Sequence, residues 1–164
     1  MSLLYSTWRS PVGELTLAGD ERRLRALYLP GRAPRRDGWT RAAEPFATAA
    51  RQLEQYFAGA RAAFDLELEP RGGSFDRAVW ALLAEIPYGE TRSYGQLARA
   101  LGRPDRSRAV GGANARNPLP IILPCHRVIG SDGSLTGYGG RLDLKRALLA
   151  LERGGWQESL PLGG

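Results

Sequence analysis

Leu123-Pro124-Cys125-His126-Arg127-Val128 contains the only cysteine and the only histidine of this 164-residue chain, and it places them side by side. A thiol and an imidazole are the two side chains best suited to nucleophilic chemistry near neutral pH. A lone cysteine is more often a small buried hydrophobe. A core cysteine, however, needs neither a proline before it nor a histidine and an arginine after it. We therefore predict a reactive thiol at Cys125, with His126 taking its proton directly or through one water.

The net charge of the chain is concentrated around this pair. Residues 91–130 hold one acid, Asp105, and seven arginines, at positions 92, 99, 103, 106, 108, 116 and 127. This stretch accounts for the whole formal charge of +6, and the rest of the chain is neutral. A genome rich in arginine codons explains the preference for arginine over lysine, but it does not explain the clustering. A local positive field attracts a polyanion, so the sequence indicates chemistry on a nucleic acid.

The composition is that of a globular protein, with 43% apolar and 24% charged residues. No apolar run reaches the roughly 18 residues that a membrane span needs. The N-terminal residues lack the charged start and apolar stretch of a signal peptide, so we expect a cytoplasmic protein that does not contact a membrane. One cysteine excludes an internal disulfide, and one cysteine with one histidine cannot build a structural zinc site. We expect neither a metal nor a cofactor.

Residues 1–70 predict a small α+β domain. It begins with three short strands joined by turns, at residues 3–8, 14–18 and 24–29. Residues 30–42 form a loop rich in proline, glycine and arginine. An apolar helix face follows, formed by Phe46, Ala50, Leu53 and Phe57. Residues 64–68 alternate like an edge strand, and Pro70-Arg71-Gly72-Gly73 marks the boundary of a second domain at 71–155. A tail at 156–164 completes the chain.

The second domain is predicted to be mostly helical. Its first helix has an apolar stripe formed by Phe75, Val79, Leu82 or Leu83, and Ile86. A second helix runs from Ser93, its N-cap, to Leu101 before Gly102, and a third begins near Pro104 and reaches Ala113. Two short helices joined by a tight turn, the second rich in arginine, form a helix-turn-helix pattern. Residues 121–123 predict a buried strand or extended segment. A final helix, ending near Glu152, is marked by Leu144, Leu148 and Leu151.

Residues 74–152 resemble the catalytic domain of the O6-alkylguanine-DNA alkyltransferases, the methylated-DNA–protein-cysteine methyltransferases. The resemblance is carried by Ser93-Tyr94-Gly95-Gln96-Leu97-Ala98, Arg108-Ala109-Val110-Gly111 and Pro124-Cys125-His126-Arg127-Val128, and by residues 79–80, 86–90, 117–118, 137–138, 145 and 152. It implies an α+β fold, with a small ribonuclease-H-like N-terminal α/β domain and a mostly helical C-terminal domain containing a helix-turn-helix of winged-helix type. It also implies direct reversal of O6-alkylguanine damage in DNA, by irreversible and single-turnover alkyl transfer to Cys125.

The resemblance implies a role for each residue of a catalytic group. Cys125 is the nucleophile and His126 its base, acting through a water. Glu152 orients His126, Asn117 holds the loop that carries Cys125, and Tyr94 donates a hydrogen bond to the departing guanine. Without the resemblance, Glu152 would be an ordinary solvated helix residue and Asn117 part of an Asn-Pro turn.

The implied partner is double-stranded DNA containing O6-alkylguanine, bound by a protein that is a monomer in solution. The target base must leave the stack, and Arg108 fills the gap from a helix in the minor groove. The other implied DNA contacts are Tyr94, Gly95, Arg103, Arg106 and Ser131. The implied base pocket consists of Val128, Tyr138 and Gly139. Cooperative binding to DNA stays open.

Two other functions remain open on the sequence alone. The first is a helix-turn-helix sensor of alkylated DNA, in which Cys125 has no chemical role. The second is a Cys-His thiol hydrolase, which would need an oxyanion hole and would leave the arginine cluster unexplained.

Overall fold

The computed structural model describes residues 3–155, and it divides into two compact units between Arg71 and Gly72. The break lies inside the segment 70–73, where the sequence predicts a domain boundary. The tail expected at 156–164 lies outside the described residues. Among the helices of the described part, none combines the length and apolar character that a membrane crossing requires.

A four-stranded sheet with the order β3-β2-β1-β4 forms the base of the first unit. Its strands are β1 (Leu4–Ser10), β2 (Gly13–Gly19), β3 (Leu24–Tyr28) and β4 (Thr40–Arg41). β1 and β2 pair antiparallel with Leu4 opposite Gly19, and β4 pairs parallel to β1. The Ser10 hydroxyl closes the β1–β2 turn by donating to the Gly13 carbonyl at 2.6 Å and accepting from the Val12 amide at 3.1 Å. The three strands predicted from alternation and turn residues are confirmed.

The helix α1 (Ala47–Phe57) covers this sheet and follows a short 3₁₀ helix, Glu44–Phe46. The Phe57 ring of the helix lies 6.1 Å from the Trp8 ring of β1. Leu53 of the helix has no exposed surface, and neither have Leu15 and Leu17 of β2. Burying such side chains contributes roughly 1.5–3 kcal/mol each, so the contact between helix and sheet holds the unit together.

Two predictions for the first unit are wrong. Residues 64–68 form no edge strand, since only Leu68 makes a bridge, to Leu24. Their backbone is held at two points. The Gln52 side chain donates to the Asp65 carbonyl at 3.0 Å and accepts from the Asp65 backbone amide at 2.9 Å, and the Leu24 amide donates to the Glu67 carbonyl at 2.9 Å. The loop predicted over 30–42 is shorter than expected, because Thr40 and its neighbour Arg41 join the sheet as β4.

Over residues 72–155, the second unit contains four α-helices and a short two-stranded sheet. The helices are α2 (Ser74–Ala84), α3 (Tyr94–Ala100), α4 (Ser107–Ala115) and α5 (Leu142–Glu152). The strands β5 (Arg92–Ser93) and β6 (Val128–Ile129) pair parallel. Short 3₁₀ helices span Cys125–Arg127 and Tyr138–Gly140. The predicted last helix is confirmed, including its end at Glu152.

The helix pair α3–α4 has the predicted turn between its members. Ser93 caps α3 through a capping box, accepting from the Gln96 amide at 3.0 Å while the Gln96 side chain accepts from the Ser93 amide at 2.8 Å. Gly102 ends α3 in the left-handed region, with φ of 72°. α4 begins at Ser107, three residues after Pro104, because residues 103–106 form a separate turn. The Trp80 indole of α2 donates to the Ala113 carbonyl at 2.9 Å and holds α4 in place.

Candidate active site

Cys125 opens the 3₁₀ helix Cys125–Arg127 and is only 5% exposed. Asn117 shapes the turn before it. The Asn117 side chain donates to the Leu123 carbonyl at 2.8 Å and accepts from the Leu119 amide at 2.9 Å. Both bonds hold the backbone of the segment that leads to the cysteine, and the catalytic role of Asn117 stays a prediction. A third contact comes from α4, where the Asn114 side chain donates to the Cys125 carbonyl at 3.4 Å.

The segment 121–123 is buried but not extended, so the predicted strand is wrong. Ile121 has a φ of 75°, and the Leu123 amide donates to the Leu119 carbonyl at 2.8 Å, which closes a tight turn. A β-branched residue rarely adopts a positive φ, and such conformations cost on the order of 1–3 kcal/mol. The turn is nonetheless well anchored, because Leu119 has no exposed surface and Ile121 has 1%. The strained turn delivers Cys125 to the interior.

His126 and Glu152 meet in a network that excludes solvent. The His126 Nε2 atom lies 2.6 Å from the Glu152 Oε2 atom, and the two side chains are 0% and 1% exposed. Arg127 also binds this carboxylate, donating from Nε to Oε1 at 2.7 Å and from Nη2 to Oε2 at 3.0 Å. The Gly89 amide donates to Glu152 Oε1 at 3.3 Å. The Glu152 carboxylate therefore orients the His126 imidazole through Nε2. The other ring nitrogen, Nδ1, has no hydrogen-bond partner in the described part of the chain.

Burial controls the ionisation of both reactive groups. It raises the pKa of the Cys125 thiol to about 11, although hydrogen bonding to Asn117 and the charge of Lys145 both act against this rise. Burial also lowers the pKa of His126 below its usual 6.5, and the hydrogen bond to Glu152 opposes that shift. At neutral pH the resting pair is thus a thiol and a neutral imidazole, which is the form that can accept a proton.

Tyr138 and Lys145 complete the surroundings of Cys125. Tyr138 has a positive φ of 62°, and burial raises its pKa well above 10. Lys145 has no exposed surface, and its ammonium donates to the Val128 carbonyl at 2.6 Å and to the Thr136 carbonyl at 2.7 Å. Of the predicted base pocket, Val128 is fully buried, and Gly139 lies beside Tyr138 in the 3₁₀ helix Tyr138–Gly140.

The residues predicted to contact DNA lie on α3, on α4 and on nearby turns. Exposed side chains are found at Arg103, Arg106, Arg108 and Ser131. Gly95 and Ser131 line one groove of about 380 Å³. The Tyr94 hydroxyl lies 3.4 Å from the Thr136 carbonyl, and a Cβ at Gly111 of α4 would lie 3.8 Å from the Tyr94 ring. Tyr94 thus stands between α4 and the loop before Tyr138.

Three residues without a predicted role are brought to Cys125 or to its relay by the structure, namely Arg127, Lys145 and Asn114. For the two basic residues the sequence signal is weak, because a basic residue in an arginine-rich chain is normally a solvated surface charge. Within residues 3–155, no three His, Cys, Asp or Glu side chains lie together in a way that could hold a metal ion.

Comparison with known proteins gives two family matches. Residues 3–70 match the ribonuclease-like domain of 6-O-methylguanine DNA methyltransferase, and residues 74–154 match its DNA binding domain. The fold is therefore mixed α/β, with a ribonuclease-like domain followed by a DNA-binding domain.

Relatives match over nearly the whole chain. A methylated-DNA–protein-cysteine methyltransferase of Mycolicibacterium paratuberculosis is 54% identical over 151 residues, covering 91% of this chain and 92% of the relative. A protein of the same name from Methanosarcina acetivorans is 50% identical over 153 residues, covering 92% and 98%. The crystal structure of Mycobacterium tuberculosis OGT in complex with DNA superposes with a TM-score of 0.88 at 50% identity, covering 93% of this chain and 94% of that one.

Proposed function

Because this chain belongs to the methylated-DNA–protein-cysteine methyltransferase family, we propose that its substrate is double-stranded DNA carrying O6-alkylguanine. The protein is a methyltransferase that repairs DNA by transferring an alkyl group to a cysteine. The chain has one cysteine, so the acceptor is Cys125. The observation that carries the proposal is the buried relay beside it, with His126 Nε2 2.6 Å from Glu152.

The relay explains how a buried thiol becomes a nucleophile. Glu152 occupies Nε2 of His126, so Nδ1 is the ring atom that accepts the Cys125 proton, through one water. The thiolate then attacks the alkyl carbon. A sulfur–carbon bond forms while the bond from carbon to guanine O6 breaks, and the electron pair leaves with the base. The thioether is stable, so each molecule reacts once.

Burial raises the pKa of Cys125 to about 11, which limits the reactivity of the resting thiol. A resting thiol is a poor nucleophile, because the thiolate is the reactive form. The protein therefore keeps its single reactive group protonated in the resting state. Small electrophiles in solution meet this protonated thiol, and the residue is only 5% exposed to them.

Access to the guanine requires that the base leave the stack. We assign the helix-turn-helix, of winged-helix type, to α3 and α4, with α4 in the minor groove and Arg108 in the place of the flipped base. The flipped guanine lies among Val128, Tyr138 and Gly139. Tyr94 donates its phenol hydrogen bond to the base as negative charge develops there.

The phosphate backbone is held by groups around this helix pair. These are the exposed Arg103, Arg106 and Ser131 and the half-buried Gly95. Their support is the concentration of charge, since the chain's net +6 falls within residues 91–130. All of the proposed groups belong to one unit of one chain, which favours a monomer acting alone. The substrate favours a cytoplasmic location, on the nucleoid when DNA is bound.

Intact mass tests the proposal directly. The protein is mixed with a duplex oligonucleotide carrying one O6-methylguanine, and the expected result is a gain of one methyl group that maps to Cys125. Cys125→Ser and a duplex without the lesion are the controls, and neither should gain mass. Binding of the duplex without any mass gain would favour the non-catalytic sensor and would refute alkyl transfer.

A further inference from the structure

Lys145 is the single lysine among the 23 basic residues of the chain. All the others are arginines, and the exposed positive surface of the described part is built from arginine alone. Lys145 by contrast has 0% exposed surface. The surface cations of this chain are thus guanidinium groups, whereas its most buried Lys or Arg side chain carries a compact ammonium. That choice points to a requirement at the site that a guanidinium does not meet.

The Lys145 ammonium has no carboxylate partner. Its two hydrogen bonds go to the carbonyls of Val128 and Thr136, and it forms no salt bridge within residues 3–155. Neutral carbonyls orient an ammonium but do not neutralise it, and a buried charge without a counter-charge is costly. An ammonium carries three N–H donors. Two are used, which leaves one for a further acceptor.

Cys125 supplies the missing negative charge when its thiol is deprotonated for the transfer. The charge of Lys145 lowers the pKa of the Cys125 thiol, and the thiolate in turn raises the pKa of Lys145 against the lowering by burial. The other titratable groups around the sulfur are His126 and Tyr138, with Glu152 and Arg127 behind them. Glu152 is already bound by His126 and Arg127. The thiolate is therefore the anion for which Lys145 is available.

We propose that Lys145 is a positioning residue for the alkyl transfer, whose ammonium is the counter-charge of the Cys125 thiolate and whose hydrogen bonds fix the backbone at Val128 and Thr136. This inference rests on the proposed function of Cys125. When the thiol proton passes to His126, the new negative charge forms beside a positive one. When sulfur bonds to the alkyl carbon, that negative charge leaves with the guanine and Lys145 loses its counter-charge.

The backbone contacts extend the influence of Lys145 to the base pocket. Thr136 shares its carbonyl between Lys145 at 2.7 Å and the Tyr94 hydroxyl at 3.4 Å. Val128 directly follows the 3₁₀ helix that begins at Cys125. One ammonium thus connects the cysteine segment, the loop before Tyr138 and the tyrosine that faces the base.

The first test compares Lys145→Met with wild type, and uses Arg146→Met as the matched control. Arg146 is the next residue of α5 and is exposed, so its substitution removes the same charge from the surface. We expect Lys145→Met to slow methyl transfer at neutral pH by about tenfold for each unit by which the thiol pKa rises. The thiol pKa, read from the thiolate absorbance that is lost in a Cys125→Ser background, should rise in Lys145→Met and stay unchanged in Arg146→Met. The Arg146→Met rate should equal that of wild type at every pH.

A purely structural role for Lys145 leaves the thiol pKa at its wild-type value. Loss of packing or of the two backbone contacts would lower the rate without raising that pKa, and that result would overturn the proposal. Lys145→Arg is the conservative variant, and it keeps a charge at the site. If it folds, its thiol pKa should lie nearer to that of wild type than the Lys145→Met value does.

A second measurement needs no substitution of Lys145 and covers the case in which Lys145→Met does not fold. Labelling with [ε-¹³C]lysine gives one lysine signal in this chain, so its titration reports Lys145 without assignment. We expect the Lys145 pKa to fall once Cys125 is methylated, and to be equally low in Cys125→Ser. An unchanged titration in both forms would overturn the proposal. If wild type gains no methyl group at all, the proposed function has failed instead.

Discussion

His126 and Glu152 lie 26 residues apart in the chain, yet their side chains meet at 2.6 Å with almost no solvent exposure. The contact joins the cysteine segment to the last residue of α5. Arg127 holds the same carboxylate with two hydrogen bonds and anchors itself on the Ile86 carbonyl at 2.6 Å. Three charged or titratable side chains are thus buried as one unit, and the position of the imidazole depends on both of the others.

Glu152→Gln should impair both transfer and stability. The substitution leaves the Arg127 guanidinium buried without its carboxylate, and breaking a buried pair in this way typically costs about 3–5 kcal/mol. It also removes the acceptor that orients His126, so the methyl-transfer rate should fall at least tenfold. Denaturant unfolding and single-turnover kinetics measure the two effects.

Glu90→Gln is the control for this prediction. Glu90 pairs with Arg92 at 3.2 Å, but its side chain is 54% exposed, and pairs of that kind contribute about 0–1 kcal/mol. Equal destabilisation by the two substitutions would contradict a buried network at Glu152.

Stability should fall as the pH drops from 6.5 toward 5. Burial lowers the pKa of His126 in the folded protein below its usual 6.5, so the unfolded chain binds the proton first. The stability contributed by the neutral imidazole is complete above pH 6.5 and is lost as the pH falls toward the folded pKa. The slope can approach about 1.4 kcal/mol per pH unit for one proton.

The single histidine of the chain makes the test direct. Five carboxyl groups, those of Asp20, Glu69, Asp76, Asp132 and Asp143, have pKa values below their usual 3.8 or 4.5 and so titrate at lower pH. Urea unfolding at half-unit steps of pH measures the slope. A His126→Asn variant should have a flat profile between pH 6.5 and 5, and a flat profile in wild type would refute the assignment.

Methylated protein should melt at a lower temperature than fresh protein. Cys125 is 5% exposed and follows a turn that Asn117 holds by a hydrogen bond to the Leu123 carbonyl, so an added methyl group meets little free space. Overpacking of this kind costs about 1–3 kcal/mol, which corresponds to a few degrees in a protein of this size. Thermal unfolding is followed after removal of the DNA, with protein exposed to an undamaged duplex as the reference. An equal or higher melting temperature would show that the pocket is not tight.

Arg108→Ala should slow transfer from a duplex but not from the free base. Flipping a paired base costs a few kcal/mol, and without a side chain to occupy the gap we expect a loss of about 10- to 100-fold. Free O6-methylguanine needs no flipping, so its slow reaction should be unchanged. Arg77→Ala removes an exposed arginine from α2 and should leave both rates unaltered. An equal loss on both substrates would assign Arg108 to the chemistry instead.

Local patterns in the sequence were sufficient for much of the fold. The strands β1 to β3, the end of α5 at Glu152 and the caps of α3 at Ser93 and Gly102 depend on neighbouring residues, and the sequence predicts them. The strand predicted at residues 121–123 is wrong because an apolar run is equally consistent with a strand and with a buried turn. The turn depends on the side chain of Asn117, which contacts the backbone on both sides of it.

The contacts of the buried charged residues could not be predicted from the sequence, for a different reason. Arg127 binds a carboxylate 25 residues away, and Lys145 binds the Val128 carbonyl 17 residues away. Such partners are seen only in the folded structure, since a lysine or arginine side chain in an amphipathic helix normally faces water. One signal was nonetheless present: a single lysine in a chain whose other bases are all arginine.

The burial of Lys145 also determines which covalent labels the folded protein can take. Acylating reagents and enzymes that tag side-chain amines need a lysine that reaches solvent, and the one lysine of this chain has none of its surface there. Acylation at Lys145 requires local unfolding of the C-terminal unit, so the acylation rate reports how often that unit unfolds. Because methylation of Cys125 should weaken the packing around it, the spent protein would be tagged faster than the fresh one.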